Sequence, residues 1–158
     1  ILYAGLMITP EGDPRVLEFN CRFGDPETQV LLSRLEGDLV ELLCATAEGR
    51  LEGVEAGWRR ESAVCVIMAS AGYPDAVRSG FPIRGIEDAE SGGAVVFHAG
   101  TRSDPEKGLV NAGGRVLGVT ACGKDLGAAV AAAYDAVGRI EFEGAQYRKD
   151  IASRGLTA

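Results

Sequence analysis

The apolar positions of this chain change period three times along its length. Leu2 to Ile8 is an apolar, strand-like run, Pro10-Glu11-Gly12-Asp13-Pro14 is a turn, and Val16 to Arg22 returns. That pattern predicts a β-hairpin. Side chains alternate across a strand, so Leu17, Phe19 and Cys21 fall on one face, the one a core would accept. From Glu27 to Leu35 the apolar residues Val30, Leu31 and Leu35 predict a short helix, which Gly37 interrupts. Asp38 is placed to cap a second helix whose Leu39, Leu42, Leu43 and Thr46 recur at helical spacing until Gly49. Residues 51–60 are rich in glycine and charge and read as a linker between a unit at 1–50 and a second at 61–158.

The second unit reads as mainly β. Ala63 to Ala69 is continuously apolar and short enough for a fully buried strand, stopped by Gly72-Tyr73-Pro74. Phe81-Pro82-Ile83 with Gly85-Ile86 predicts a short edge strand, since proline cannot donate to a ladder. Ala94 to Ala99, Leu109 to Val110 and Arg115 to Thr120 predict further strands, joined by tight connections at 104–108 and 111–114. One strong helix follows, with Leu126, Ala129, Val130, Ala133, Tyr134, Val137 and Ile140 in a continuous apolar stripe. Trp58, at the boundary, reads as an interdomain packing residue. The fold class is therefore α+β.

The polar face of the returning hairpin strand carries Glu18, Asn20 and Arg22 in one row. A carboxylate and an amide oxygen suit Mg²⁺, a hard cation that prefers oxygen, and a guanidinium neutralises a phosphoryl oxygen. Such a row matches the needs of a nucleoside triphosphate. The strand ends at Gly24-Asp25-Pro26, a sharp turn, which leaves Asp25 and Glu27 near its mouth and available to an amine. Gly113-Gly114-Arg115 permits two readings: a backbone approach to a phosphate gripped by the arginine, or a glycine-rich hairpin with a surface arginine. His98 reads as a packed, hydrogen-bonded residue, and Arg148 and Lys149 as members of surface ion pairs.

Composition narrows the classes. The formal net charge of −7 over 158 residues argues against nonspecific nucleic-acid binding, which demands a basic surface. No apolar stretch is long enough to span a bilayer, and no basic n-region followed by an apolar h-region is read that would predict secretion. Cys21, Cys44, Cys65 and Cys122 are widely spaced with a single histidine. They read as small buried thiols of a reduced, cytoplasmic protein.

The run Glu18-Phe19-Asn20-Cys21-Arg22-Phe23-Gly24-Asp25-Pro26-Glu27-Thr28-Gln29 closely resembles the signature of glycinamide ribonucleotide synthetase, an ATP-grasp ligase family of purine biosynthesis. The resemblance continues in order through Tyr3-Ala4-Gly5-Leu6-Met7, Met68 to Pro74, Val96 to Thr101, Gly113 to Ala121 and Glu143 to Ile151, so it spans nearly the whole chain. It implies the end of an ATP-grasp domain at 1–50. A small, mainly β domain of barrel-sandwich or rudimentary-hybrid type, with one long helix, would follow. It also implies that an N-terminal domain and most of the ATP-grasp fold lie upstream. These carry the adenine pocket, a phosphate-binding lysine, the glycine-rich loop and the first acidic metal ligand. The chain alone is then expected to be inactive. Glu18 and Asn20 align with the family's ligands for Mg²⁺ or Mn²⁺, and ATP, glycine and 5-phosphoribosylamine are the implied substrates. Arg22 is the implied stabiliser of the transferred phosphoryl group; Asp25, Glu27, Gly113, Gly114 and Arg115 are candidate substrate-binding residues. Two other readings stand beside this one: another ATP-grasp carboxylate–amine ligase or biotin carboxylase relative, and a non-catalytic assembly module.

Overall fold

The computed structural model describes residues 1–157. It opens with the expected hairpin, β1 (Tyr3–Ile8) and β2 (Pro14–Asn20), paired antiparallel with Tyr3 opposite Asn20 and Gly5 opposite Glu18. The register shifts after Gly5, where Leu6 pairs with Val16, so Leu17 is the extra residue of a bulge. The face expected to enter a core does not do so. Leu17 is 64% and Phe19 61% exposed, and Cys21 is exposed too, because the hairpin is an isolated two-stranded sheet among the described residues.

Helix α1 (Glu27–Arg34) follows, but Leu35 is not its last turn as expected. Leu35–Glu36 forms β3, which pairs with β4 (Gly57–Trp58) from the segment expected to be a linker. Between them lies α2 (Leu39–Ala47), capped as expected by Asp38, whose carboxylate accepts from the N–H groups of Val40 and Glu41 at 2.7 and 3.3 Å. Trp58 lines an apolar hollow with Phe23, Leu32, Leu35, Leu39 and Leu42, so it packs on this helix pair.

The core is organised around β5 (Ser62–Ala69). This strand lies in a three-stranded antiparallel sheet, order β5-β9-β6, with β6 (Val95–His98) and the long β9 (Arg115–Gly123). On one face Val64, Val66, Met68, Val119 and Ala121 meet helix α4 (Leu126–Arg139) through Ala129, Ala133, Ala136 and Val137. Alanines at that spacing give the helix a thin face and let it approach the strands closely. On the other face α1 packs against β5 and β9, with Gln29 near Gly118, Cys65 and Ile67. A sheet covered on both faces requires a continuous apolar strand, which is why the run Ala63 to Ala69 lacks alternation.

Three elements depart from expectation. Phe81 to Ile86 is no edge strand: Pro82 makes an isolated bridge to Val110, and Ile86 begins α3 (Ile86–Ser91). Gly85 precedes it at φ +81°, where a side chain would run into the carbonyl of Arg139. The polar segment Thr101–Asp104 is a strand, β7, paired with β8 (Gly108–Asn111). The Asp104 carboxylate closes their turn by accepting from Glu106 and Lys107 N–H, both at 3.0 Å. A short α5 (Ser153–Leu156) ends the described chain. The molecule is thus a mixed α/β protein of small antiparallel sheets. The cysteines divide: Cys65 is buried, where desolvation pushes its thiol pKa up, whereas Cys21, Cys44 and Cys122 are exposed, against expectation. All four thiols are free.

Candidate functional site

The end of β2, the turn after it and the start of β9 meet at a cleft of about 430 Å³. Its polar lining is Glu18, Arg22, Asp25, Glu27, Thr28 and Arg115. Five of the eight residues singled out from the sequence therefore come together here. Glu18 projects from β2, and Asn20, two residues on, shares its face by the alternation of the strand but is half-buried and lies outside the cleft lining. Arg22 leans along the turn, its Nη1 donating to Phe23 O at 3.0 Å.

The turn itself is tightly made. Gly24 is buried, and a Cβ on it would strike the carboxylate of Glu27. Thr28 donates to the Gly24 carbonyl through both its hydroxyl (2.5 Å) and its N–H (2.9 Å). Glu27 in turn accepts from Tyr3 Oη at 3.2 Å, and the nearby Glu27 charge holds the Tyr3 pKa above the usual phenol range. The Asp25–Pro26 bond is cis.

Arg115 crosses from β9 to this turn. Its Nη1 donates to Asp25 O at 3.0 Å and lies 3.4 Å from Asp25 Oδ2, while Nε donates to Tyr73 Oη at 3.2 Å. The hydrogen bond to Tyr73 is the largest influence raising the Arg115 pKa, with Asp25 adding in the same direction. Gly113 and Gly114 stand apart from the cleft. Gly114 lies under the Tyr73 ring and Gly113 against Gly100, so in this structure both glycines make room for protein atoms. A second cleft of about 490 Å³, with Cys65, Ile67, Tyr73 and Arg148 in its lining, adjoins the first through Arg115. Arg148 is held by Asp150 at 2.9 and 2.7 Å, the surface ion pair expected of it. His98 is hydrogen-bonded to Thr101 at 3.1 Å, as expected, but exposed instead of packed.

Three carboxylates and two guanidinium groups in one open cleft suit a ligand that bears both signs of charge. Carboxylates are suited to an ammonium or a metal cation, and guanidinium groups to phosphate or carboxylate oxygens. Glu18 and Asn20 are hard oxygen donors of the kind Mg²⁺ takes, which commonly uses one or two protein ligands and completes its shell with water and phosphate oxygens. Among the described residues no group of three or more histidine, cysteine or acidic side chains is set up as a metal cage. Tyr73 and Thr28 lie within the resembling blocks but are not singled out there as site residues, and nothing local joins Tyr73 to Arg115 across 42 positions.

Residues 63–154 match the family model "Phosphoribosylglycinamide synthetase, C domain", and residues 1–28 match the ATP-grasp (A) domain of the same synthetase. The chain belongs to the phosphoribosylglycinamide synthetase family. Curated relatives named phosphoribosylamine–glycine ligase include those of Rhizobium meliloti (53% identical), Arabidopsis thaliana (51%, chloroplastic) and a Synechocystis species (50%). Each alignment covers 99% of this chain but only 36%, 30% and 37% of the relative. The chain thus spans about a third of the length of these relatives. The crystal structure of the Thermotoga maritima phosphoribosylamine–glycine ligase superposes with a TM-score of 0.73 at 37% identity, over 94% of this chain and 36% of that one. No helix among the described residues is long and apolar enough to cross a membrane.

Proposed function

We propose that this chain forms the C-terminal part of a ligase that joins glycine to 5-phosphoribosylamine with ATP, yielding glycinamide ribonucleotide, ADP and phosphate. The observation that carries the reading is identity near 50% over almost the whole chain with ligases of that name. In the first half-reaction an oxygen of the glycine carboxylate attacks the γ-phosphorus of ATP, breaking the bond to ADP and giving glycyl phosphate. In the second, the amine of phosphoribosylamine attacks the activated carbonyl, loses a proton and expels phosphate. There is little covalent work for the protein here; it orients reactants and neutralises charge.

Each side chain in the cleft then has a task. Arg22 faces the transferred phosphoryl group and the acyl phosphate that follows. Asp25 and Glu27 orient the ammonium of glycine or the amine of phosphoribosylamine, and Arg115, with the Gly113-Gly114 turn behind it, holds an anionic group of the substrate. Glu18 and Asn20 would hold Mg²⁺ or Mn²⁺, which when bound supplies charge neutralisation on phosphate oxygens. The adenine pocket and the remaining ligands are assigned to the part of the ligase that precedes this segment, so the chain alone would not turn over. We also read residues 1–50 as the end of the ATP-grasp domain, 51–60 as the linker and 61–158 as a barrel-sandwich-like domain. The free thiols favour a reducing compartment, and we place the enzyme in the cytoplasm.

The test replaces the matching C-terminal segment of the Synechocystis ligase with this chain and follows ADP release from ATP. The expected result is release that requires both glycine and phosphoribosylamine, lost in Glu18→Ala and in the ligase truncated before the segment. A folded chimera that ignores either substrate would overturn the reading.

A further inference from the structure

Tyr73 is held with more care than its exposed place on a turn demands. Gly72 before it takes φ +80°, where a Cβ would meet the carbonyl of Ala76, so the chain doubles back tightly. Ser70 anchors the base of that turn. Fully buried, it donates through its hydroxyl to Gly113 O at 2.8 Å, accepts from Asn111 Nδ2 at 2.7 Å, and its N–H donates to Gly114 O at 2.8 Å. The Tyr73 N–H returns to Ser70 O at 3.2 Å, and its ring lies over Gly114, where any side chain would strike it. The phenol is therefore fixed both through the backbone and through its ring.

What this fixed phenol touches is Arg115, whose guanidinium then reaches Asp25 across 90 positions of sequence. A long, partly exposed arginine samples many rotamers unless something removes that freedom, and the fork needs a defined orientation to grip a loop by both a carbonyl and a carboxylate. Tyr73 Oη accepting from Nε leaves the outer nitrogens to serve Asp25. The loop so held puts Gly24 and Asp25 in the wall of the cleft.

We propose that Tyr73 is a positioning residue for the ligase reaction: it fixes Arg115, and through Arg115 the Asp25 loop, in the geometry that receives the amine substrate. The proposal rests on the functional reading above.

Tyr73→Phe in the chimeric ligase keeps the ring on Gly114 and removes only the oxygen. It should raise the KM for glycine or for phosphoribosylamine, whichever amine Asp25 receives, roughly three- to tenfold, the reach of one net hydrogen bond, and leave the KM for ATP in place. In an Arg115→Ala background the same change should add nothing, because residues acting in series are not additive. Equal effects in both backgrounds, or an unchanged KM for both amines in the single variant, would overturn the proposal. If the unsubstituted chimera fails to turn over both substrates, the ligase reading is what has failed. Positioning is then decided by hydrogen exchange in the same protein: faster exchange of the residue 23–28 amides in Tyr73→Phe supports it, and unchanged exchange ends it.

Discussion

The Tyr3 hydroxyl donates to Glu27 Oε1 at 3.2 Å, tying the first strand of the hairpin to the first turn of α1 across 24 residues. The Glu27 charge, followed by desolvation and the hydrogen bond itself, keeps the phenol protonated to higher pH than usual. A raised folded-state pKa means that this contact contributes in full below the unfolded tyrosine value of about 10 and is lost as pH rises through the folded one. The ultraviolet difference titration of the protein minus that of Tyr3→Phe should therefore show the Tyr3 phenol ionising above the ordinary range. Glu27→Gln should bring it back toward the ordinary range; an identical curve in the variant would show that the pair does not form.

The Arg115–Asp25 pair is half-open to solvent, with side chains 42% and 64% exposed, so water and salt screen it. Breaking it should cost under about 1 kcal/mol of stability. Its consequence lies in geometry. Lysine carries the charge without the fork and cannot serve Tyr73 and Asp25 together. Arg115→Lys should leave the melting temperature nearly unchanged while raising the KM for the amine substrate in the chimeric ligase. A large fall in melting temperature with kinetics intact would reverse that assignment.

Glu18 sits on the regular part of β2, beyond the bulge, so its face is set by pairing with Gly5. If it is a metal ligand, Glu18→Gln keeps an oxygen donor and loses the charge. The Mg²⁺ concentration for half-maximal ADP release should then rise at least about tenfold, the scale on which altered partners weaken metal sites. Excess Mg²⁺ should recover much of the rate. A Mg²⁺ curve that does not move would remove Glu18 from the metal site.

That Glu18 and Asn20 share a strand face was legible because alternation is local. But β2 ends at Asn20, so Arg22, expected on the same strand, lies in the bend beyond it and reaches the cleft from there. Strand β5 was legible because a sheet covered on both faces leaves an unbroken apolar run. The meeting of Asp25 with Arg115 was not, since nothing local joins residues 90 apart. The exposed faces of Leu17 and Phe19 misled for a related reason: alternation says which residues share a face, never what lies against it. Strand β7 was hidden by its polar composition, Thr-Arg-Ser-Asp, and is held by register with β8 and by the Asp104 turn instead of by burial. Helix α3 has six residues, and its start at Gly85 depends on a close contact with Arg139, far along the chain.

Asn111 offers the sharpest stability test. It is fully buried and fully used: its amide nitrogen donates to Ser70 Oγ at 2.7 Å and to Arg78 O at 2.9 Å, and its side-chain oxygen accepts from Phe81 N–H at 2.8 Å. Asn111→Ala strands the Arg78 carbonyl and the Phe81 N–H, takes from the Ser70 hydroxyl the one donor it accepts from, and leaves space behind, so the loss should be about 2–4 kcal/mol. Urea unfolding followed by circular dichroism should show a lower midpoint with an unchanged slope, as expected when stability alone falls. Because Ser70 then loses one of the bonds that seat the Tyr73 turn, the folded variant placed in the chimeric ligase should also reproduce part of the KM rise of Tyr73→Phe. If stability falls and that KM stays put, the network supports the fold without reaching the cleft.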